Sequence, residues 1–370
     1  MLSTIALDTQ VLRQGLCTGC GACQGLCPYW GSVDGRTVCF FDCERSDGRC
    51  QRFCPRMPTD LGALQKRFFA EETILPEIGP FRGLYLTRAA DPDIRARAQH
   101  GGSMTALVEL ALKEGFLDAA VLTRSQGGLD PEGVLATTPE EVRACSGSSF
   151  QVPPTLAALN RALKEDQFHS IGVVGTPCKT LAVYKMKANP LPENDNHAGN
   201  IGMVFGLFCG WGLDWDGLRD LTKRHADPAK ISHMDIPPSK YHSLDLREEG
   251  KTVSVNLDEV TPLVRSGCRY CVDMTAEFAD LSIGGARSAS GWDVDKGWNQ
   301  IIVRSEKGEA LLELARKQGV LEFKDAMEGG LEKLRKASFG KKRTAVQNLR
   351  ELTEGGLGYL SPNRELLENL

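Results

Sequence analysis

The sequence has no apolar segment long enough to cross a lipid bilayer. Its longest apolar run, Ile201 to Leu213, is shorter than the roughly 20 residues that a membrane-spanning helix needs, and glycines interrupt it. The N-terminus also lacks the charged and apolar regions of a secretory signal. We therefore expect a cytoplasmic protein that is not inserted directly into a membrane.

An excess of charge of either sign is also missing. The 44 Lys and Arg residues nearly balance the 48 Asp and Glu residues, which leaves a formal net charge of -4. This balance argues against a nucleic-acid-binding surface. One local basic stretch stands out, and we interpret it as the solvated face of a helix. It consists of Lys333, Arg335, Lys336, Lys341, Lys342 and Arg343.

Cysteine, by contrast, is abundant, and eight of the 13 cysteines lie in the first 54 residues. They form two runs, Cys17-x2-Cys20-x2-Cys23-x3-Cys27-Pro28 and Cys39-x3-Cys43-x6-Cys50-x3-Cys54-Pro55. The first run has the spacing of bacterial ferredoxins, in which the fourth cysteine of a run ligates the neighbouring cluster. This pattern predicts one [4Fe-4S] cluster on Cys17, Cys20, Cys23 and Cys54 and a second on Cys27, Cys39, Cys43 and Cys50.

Two other interpretations of these cysteines remain open. Structural zinc uses Cys-x2-Cys pairs, although its sites usually combine two separated pairs rather than three cysteines at two-residue gaps. A disulfide framework is typical of secreted proteins, and a reducing compartment would keep the thiols free. We favour iron-sulfur clusters over both.

The length of 370 residues predicts more than one domain. Residues 1–58 are rich in Cys and Gly, with little periodicity, and we predict a small ferredoxin-like domain there. Residues 59–82 form a linker that contains prolines, residues 83–350 the body, and residues 351–370 a C-terminal tail.

Strand and helix patterns alternate in the body, which predicts a mixed α/β fold. The predicted strands are 84–88, 118–124, 171–174, 201–207, 281–283 and 300–304, with a hairpin over 244–257 that turns at Glu249-Gly250. The predicted helices are 103–113, 155–164, 216–225 and 308–318, with a shorter one over 61–72 in the linker.

Two glycine-containing segments precede helical or apolar stretches. Gly101-Gly102-Ser103 opens the helix over 103–113, where backbone amides and the helix N-terminus suit a pyrophosphate. An ordinary turn with an N-cap gives the same pattern. The segment Ser146-Gly147-Ser148-Ser149 has the same two interpretations.

Five cysteines remain outside the first 54 residues. Cys178 and Cys209 each follow a predicted buried strand, and Cys268 and Cys271 form a Cys-x2-Cys loop. These four thiols could complete a third cluster or a zinc site. Alternatively, Cys178 and Cys209 are buried structural residues, as free cysteines often are. Cys145 is left over, either structural or beside Ser146-Gly147.

Four separated motifs carry a resemblance to a known family. They are His100-Gly-Gly-Ser-Met-Thr-Ala-Leu, Gly175-Thr-Pro-Cys178-Lys-Thr, Leu207-Phe-Cys209-Gly and Cys268-Arg-Tyr-Cys271-Val-Asp-Met-Thr-Ala-Glu-Phe-Ala-Asp280-Leu-Ser-Ile-Gly. In this order they resemble the beta subunits of coenzyme F420-reducing hydrogenase and F420-dependent formate dehydrogenase. With the cysteine-rich N-terminus added, the chain is similar to the input subunit of F420H2 dehydrogenase.

The resemblance implies a flavin-binding body, a third [4Fe-4S] cluster on Cys178, Cys209, Cys268 and Cys271, and no catalytic acid-base pair, because the cofactor carries the chemistry. The implied FAD contacts are Gly101, Gly102, Ser103, Met104, Thr105, Gly147, Ser148, Ser149, Gly175, Thr176, Pro177 and Lys179.

These expectations combine into one functional hypothesis. The chain would exchange hydride with a soluble carrier at FAD and pass single electrons through three [4Fe-4S] clusters to other redox subunits, as in a formate dehydrogenase, hydrogenase or heterodisulfide-reductase-like complex. The expected carrier is coenzyme F420. NAD(P)H is the alternative, because His100 and Gly147 to Phe150 depart from the usual family residues. The alternatives are a non-catalytic electron relay between proteins and a zinc-stabilised interaction protein.

Overall fold

The computed structural model describes residues 1–126, 128–189, 196–237, 241–286, 297–325 and 328–367. Within these ranges the chain forms a mixed α/β body around an eight-stranded sheet, with a cysteine-rich N-terminal segment packed against it. None of the helices in these ranges is long and apolar enough to cross a membrane.

The N-terminal part contains short elements separated by irregular chain. These are α1 (Ser3–Leu7), continued by a π-helical turn (Asp8–Leu12), β1 (Trp30–Val33), β2 (Arg36–Cys39), α2 (Arg49–Phe53), α3 (Leu61–Phe68), β3 (Thr73–Leu75) and β4 (Gly79–Phe81). Strands β1 and β2 form one antiparallel hairpin, and β3 and β4 form another. The assignment of residues 1–58 as a ferredoxin-like domain remains a prediction.

The body alternates strands and helices. Its first half contains β5 (Gly83–Ala89), α4 (Pro92–Arg97), α5 (Ser103–Lys113), β6 (Ala119–Gln126), β7 (Leu129–Ala136), α6 (Pro139–Ala144), α7 (Thr155–Glu165), β8 (Ile171–Gly175), α8 (Pro177–Ala188) and β9 (Ile201–Leu207). Its second half contains α9 (Trp215–His225), β10 (His233–Asp235), β11 (Ser243–Glu248), β12 (Lys251–Asn256), α10 (Leu257–Val260), β13 (Leu281–Gly285), β14 (Asn299–Val303), α11 (Glu306–Lys317), β15 (Leu321–Lys324), α12 (Gly330–Leu352) and α13 (Arg364–Leu367).

The large sheet has the strand order β15-β5-β14-β13-β9-β8-β6-β7. The four central strands β13, β9, β8 and β6 run parallel, and the flanking strands pair antiparallel. The carboxyl ends of the four parallel strands therefore meet at one edge. In open α/β sheets, ligands bind outside that edge.

Helices cover both faces of the sheet, which explains why the central strands are continuous apolar runs. Helices α5 and α11 pack on one face, with Leu107 and Leu311 fully buried. Helices α7 and α8 pack on the other face, around Leu159 and Val183. Strands buried on both faces carry little alternation, as expected for parallel strands.

A smaller sheet of β10, β11 and β12 packs against α9 and forms a separate apolar core. The predicted hairpin is confirmed here, because β11 and β12 pair around the turn at Glu249 and Gly250. This small sheet lies beside the carboxyl edge of the large one, since Ile236 and Pro237 line the same cavity as the ends of β8 and β9.

The cysteine-rich segment packs against helix α12 and residues 357–367 through one apolar cluster that includes Leu7, Val346 and Leu360. Two glycines permit close backbone contacts between the cysteine-rich segment and other parts of the body. A Cβ atom on Gly21, whose φ is +85°, would lie 2.6 Å from the carbonyl oxygen of Pro154, and one on Gly267 would lie 2.6 Å from that of Cys17. Any side chain at these positions would force the segment away from the body.

Most predicted elements of the body are confirmed within one to three residues. The helix predicted over 61–72 ends at Phe68, and part of the linker folds as the β3-β4 hairpin. Strand β7 was not predicted because Pro131 interrupts its pattern, which edge strands tolerate.

Candidate functional site

A large cavity lies at the carboxyl edge of the parallel strands and has a volume of about 840 Å³. Its wall includes the last residues of β6, β8, β9 and β13, the start of α5, and the segment 145–153. This volume is in the range of cofactor pockets, which are largely apolar with a few placed polar groups.

The first glycine motif lies at this wall. Gly102 is the N-cap of α5 with φ +77°, and Gly102, Ser103, Met104 and Thr105 all line the cavity. The backbone N–H of Ser103 donates to the side chain of Asn299 at 3.1 Å. Those of Met104 and Thr105 have no acceptor among the described residues, so they are available to a ligand in the cavity.

Gly101 does not reach the wall. Its carbonyl accepts a hydrogen bond from Ala89, and an added Cβ would lie 2.8 Å from the side chain oxygen of Asn299. Gly101 therefore permits close packing of the turn on β14 and lies one residue behind the wall.

The second glycine motif lines the cavity beside the first, where the Thr105 and Ser146 hydroxyls lie 3.3 Å apart. Gly147 has φ +102°, and Gly147, Ser148 and Ser149 all line the wall. The Ser148 hydroxyl donates to Gln99, and the Ser149 hydroxyl donates to the carbonyl of Gly128 at 3.0 Å. Both hydroxyls are thus held by the protein, which fixes the loop around the cavity.

The turn after β8 contributes Gly175, Thr176 and Lys179 to the wall, while Pro177 lies toward the body cysteines. The Lys179 side chain is buried, and its one hydrogen bond among the described residues goes to the neutral hydroxyl of Thr155, at 2.8 Å. Burial lowers the pKa of Lys179, and the neighbouring thiols oppose that effect. A buried cation that faces a cavity without a carboxylate partner favours an anionic ligand.

Four of the five body cysteines form what we call the inner group: Cys178, Cys209, Cys268 and Cys271. Burial raises the pKa of Cys209 to about 12, with further contributions from the other three thiols. Cys209 also lines the large cavity. The structure thus brings together the four residues predicted for the third cluster and places one of them, Cys209, at the candidate cofactor pocket.

Cations surround the inner group. Lys341 donates from Nζ to the carbonyl oxygens of Cys209 at 2.7 Å and Asp273 at 2.9 Å. Burial raises the pKa of the Cys271 thiol, but the charges of Lys341 and Arg56 outweigh that effect, so its pKa is lowered. A site that favours thiolates suits metal coordination, which requires deprotonated thiols.

The interpretation of the basic stretch as a solvated helix face is wrong for two of its members. Lys342 is buried and pairs with Glu277, and Lys341 faces the inner group. Helix α12 packs its inward side on this site and leaves Lys336 and Arg343 exposed. The sequence pattern did not show which side of the helix was covered.

The middle group consists of Cys17, Cys20, Cys23 and Cys54. Burial raises the pKa of Cys23, and the nearby Cys17, Cys20 and Cys54 raise it further. Burial also raises the pKa of Cys20, with Cys178 of the inner group as its next largest influence. The middle group therefore adjoins the inner group.

The outer group consists of Cys27, Cys39, Cys43 and Cys50. Burial and the nearby Cys27 raise the pKa of Cys50, and Cys50 in turn contributes to the raised pKa of Cys23 in the middle group. Cys27 is exposed, and the backbone N–H of Cys43 donates to Thr4 at 3.1 Å. That all four residues ligate one cluster remains a prediction.

All thirteen cysteines are free. In the described ranges, no three Cys, His, Asp or Glu side chains converge tightly enough to hold one metal ion. A single zinc ion requires its sulfurs within about 2.3 Å of one point, whereas a cubane cluster spreads its four thiolates over separate corners. The buried cations around the inner thiols favour their deprotonated form, which either kind of site requires.

Several residues of the site escaped sequence analysis. Asn299 caps the glycine turn, Trp211 and Gln151 line the cavity, and Arg56 reaches the inner group from the N-terminal segment. No motif marks them, because their roles follow from tertiary contacts. Cys145, left open above, lines the cavity, and burial raises its pKa to about 11.

Comparisons with known proteins concern the family and the fold of the chain. Two family models match: the N-terminal part of the coenzyme F420 hydrogenase/dehydrogenase beta subunit over residues 84–160, and its C-terminal part over residues 168–329. The coenzyme F420 hydrogenase subunit beta of Methanococcus voltae is 30% identical, over 75% of this chain and 98% of that protein.

A second relative, which is a component of the F420H2 dehydrogenase of Methanosarcina mazei, is 26% identical over 93% of this chain and 94% of its own length. Because only 7% of this chain is left out, that similarity extends into the cysteine-rich segment. Among solved structures, a chain of the F420-reducing [NiFe] hydrogenase complex from Methanosarcina barkeri superposes with a TM-score of 0.67 at 25% identity, covering 77% of this chain and 98% of that one.

Proposed function

The chain belongs to the family of coenzyme F420 hydrogenase/dehydrogenase beta subunits, and from that premise we propose that it is an FAD- and iron-sulfur-dependent oxidoreductase subunit. The observation that carries this proposal is a shared wall: the cavity that holds the start of α5 and Lys179 also contains Cys209 of the inner group. A flavin in the cavity would thus lie beside a cluster on the inner group.

The residues for FAD divide into two sets by chemistry. The backbone amides at the start of α5 and the Ser146 to Ser149 loop suit the pyrophosphate. The buried Lys179 suits the anionic part of a reduced flavin. When bound, FAD supplies two-electron hydride chemistry, and the clusters supply one-electron transfer.

The three cysteine groups form a continuous series. The outer group adjoins the middle group through Cys50 and Cys23, and the middle group adjoins the inner group through Cys20 and Cys178. We propose one [4Fe-4S] cluster in each group. Electrons would pass between the flavin and the exposed Cys27 end, where another subunit of a larger redox complex would exchange them.

The hydride carrier is coenzyme F420 in this proposal, with NAD(P)H as the substitute, and the protein works in the cytoplasm. The names of relatives support F420, since they include a coenzyme F420 hydrogenase and an F420H2 dehydrogenase. A formate dehydrogenase, hydrogenase or heterodisulfide-reductase-like assembly would supply the partner subunits.

The test uses the anaerobically purified full chain with its native cofactors. Reduced F420 and NADH are added separately, and flavin absorbance is followed. Bleaching by either identifies the carrier. No response from a flavin-loaded protein would contradict hydride exchange and leave the second candidate, a relay between proteins. The exposed Cys27 at the end of the cysteine series is the observation that favours this second candidate, and it fits the first candidate equally well.

A further inference from the structure

Arg56 comes from the N-terminal segment, yet its side chain lies in the interior of the body. It directly follows Cys54-Pro55, and only 4% of its surface is exposed. Its Nη2 donates to the carbonyl of Gly267 at 3.0 Å, and its Nη1 donates to the Tyr359 hydroxyl. The guanidinium carbon lies 4.8 Å from the centre of the Tyr359 ring. The side chain is therefore fixed on several sides.

The same residue contacts two cysteine groups. Its backbone N–H donates to the Cys54 sulfur of the middle group at 3.4 Å. Its guanidinium lines a small cavity together with Cys178 and Cys271 of the inner group. Among the described contacts, Nε has no hydrogen-bond partner.

The charge of Arg56 also lacks a carboxylate partner in the described part of the chain. Arg stays protonated in proteins. A buried cation of this kind is stabilised by nearby negative charge, and thiolates of the inner group, which lines the same small cavity, would supply it.

We propose that Arg56 is a positioning residue that raises the reduction potential of a cluster on the inner group, an inference that rests on the proposed function. Reduction adds negative charge to a cluster, and a fixed cation beside its thiolate ligands stabilises that added charge. Because Arg56 follows a ligand of the middle group, the potential of the inner cluster depends on the correct docking of the N-terminal segment.

The test compares Arg56→Gln and Arg56→Lys in the full-length holoprotein, by iron and sulfide analysis and by an anaerobic redox titration followed by electron paramagnetic resonance. We expect full iron content and one midpoint shifted to more negative potential, further in Arg56→Gln than in Arg56→Lys. Arg52→Gln is the control, because the Arg52 guanidinium is partly exposed and already paired with Asp47. It should leave every midpoint unchanged.

Wild-type midpoints in an iron-replete Arg56→Gln variant would overturn the proposal. If that variant does not fold, Arg56→Lys decides alone: a smaller negative shift supports the proposal, and an unchanged midpoint overturns it. Loss of iron in both variants with the chain still folded would assign Arg56 a purely structural role and also overturn it. A wild-type protein without cluster signals would instead contradict the proposed function itself.

Discussion

The inner and outer cysteine groups differ in how the chain builds them. The inner thiols come from three separated parts of the body, after β8, after β9 and in the 268–271 loop, and cations such as Lys341 hold the surrounding backbone. The outer thiols come from one stretch, residues 27–50, with Cys27 exposed and the rings of Phe40 and Phe41 half or more exposed nearby. The inner group thus depends on the whole fold, whereas the outer group is local and more exposed, with Cys27 at the surface and Cys50 buried.

This difference predicts unequal costs when one ligand is removed from each group. Cys268→Ser and Cys43→Ser should each lose about four of twelve irons if each group holds one cubane. Only Cys268→Ser should also lower the free energy of unfolding of the body, by about 3 kcal/mol or more. A ligand whose free concentration is about a hundred times its dissociation constant stabilises the folded state by about that amount. Iron analysis and thermal unfolding check this. Equal losses of stability would contradict the comparison.

The next prediction concerns the connection between the two regions. The buried Lys185 donates from Nζ to the carbonyls of Cys54 at 2.6 Å and Met57 at 3.2 Å, and to the Thr59 hydroxyl at 2.5 Å. Lys185→Met should remove these three hydrogen bonds and cost about 1–3 kcal/mol. Limited proteolysis should then cut the chain near residue 59. The exposed Lys164→Met is the control, and equal cleavage in both variants would show that Lys185 does not anchor the segment.

A smaller effect is expected at helix α12. Lys341→Met removes two hydrogen bonds to carbonyls beside the inner group, and we expect a loss of about 1–2 kcal/mol in the free energy of unfolding. Lys336→Met on the same helix is exposed and serves as the control. A denaturant titration that gave the same midpoint for both variants would refute the assigned role of Lys341.

The smallest effect belongs to the outer surface. Phe41 is 66% exposed, so Phe41→Ser should change the free energy of unfolding by no more than about 0.5 kcal/mol. Iron content should also stay at the wild-type value. A large loss of stability or of iron would mean that the outer group relies on packing around the Phe41 ring.

The sequence predicted the body better than the N-terminal segment, for a physical reason. Strands such as Ile171–Gly175 and helices such as Ser103–Lys113 are periodic, and their burial follows from the pattern. In the first 58 residues, spacing indicates ligands but not conformation, because contacts with distant residues such as Asn160 hold the backbone. Its side chain donates to the carbonyls of Ala22 at 3.1 Å and Gln24 at 2.7 Å.

The candidate site shows the same division. Motifs indicated Gly102, Cys178 and Cys209, which lie where a strand ends or a helix begins. They gave no sign of Arg56, and Lys341 stood out only as part of a basic stretch. The roles of both residues depend on which surfaces of separate elements come together, so only the tertiary structure identifies them.

We expect the three cysteine groups to hold three clusters beside one flavin. A count of iron, acid-labile sulfide, zinc and flavin in the anaerobically purified full chain decides this. We predict about twelve irons, about twelve sulfides and one FAD per chain, as expected for three cubane clusters and a flavin. Zinc without acid-labile sulfide, or a protein without flavin, would contradict the account.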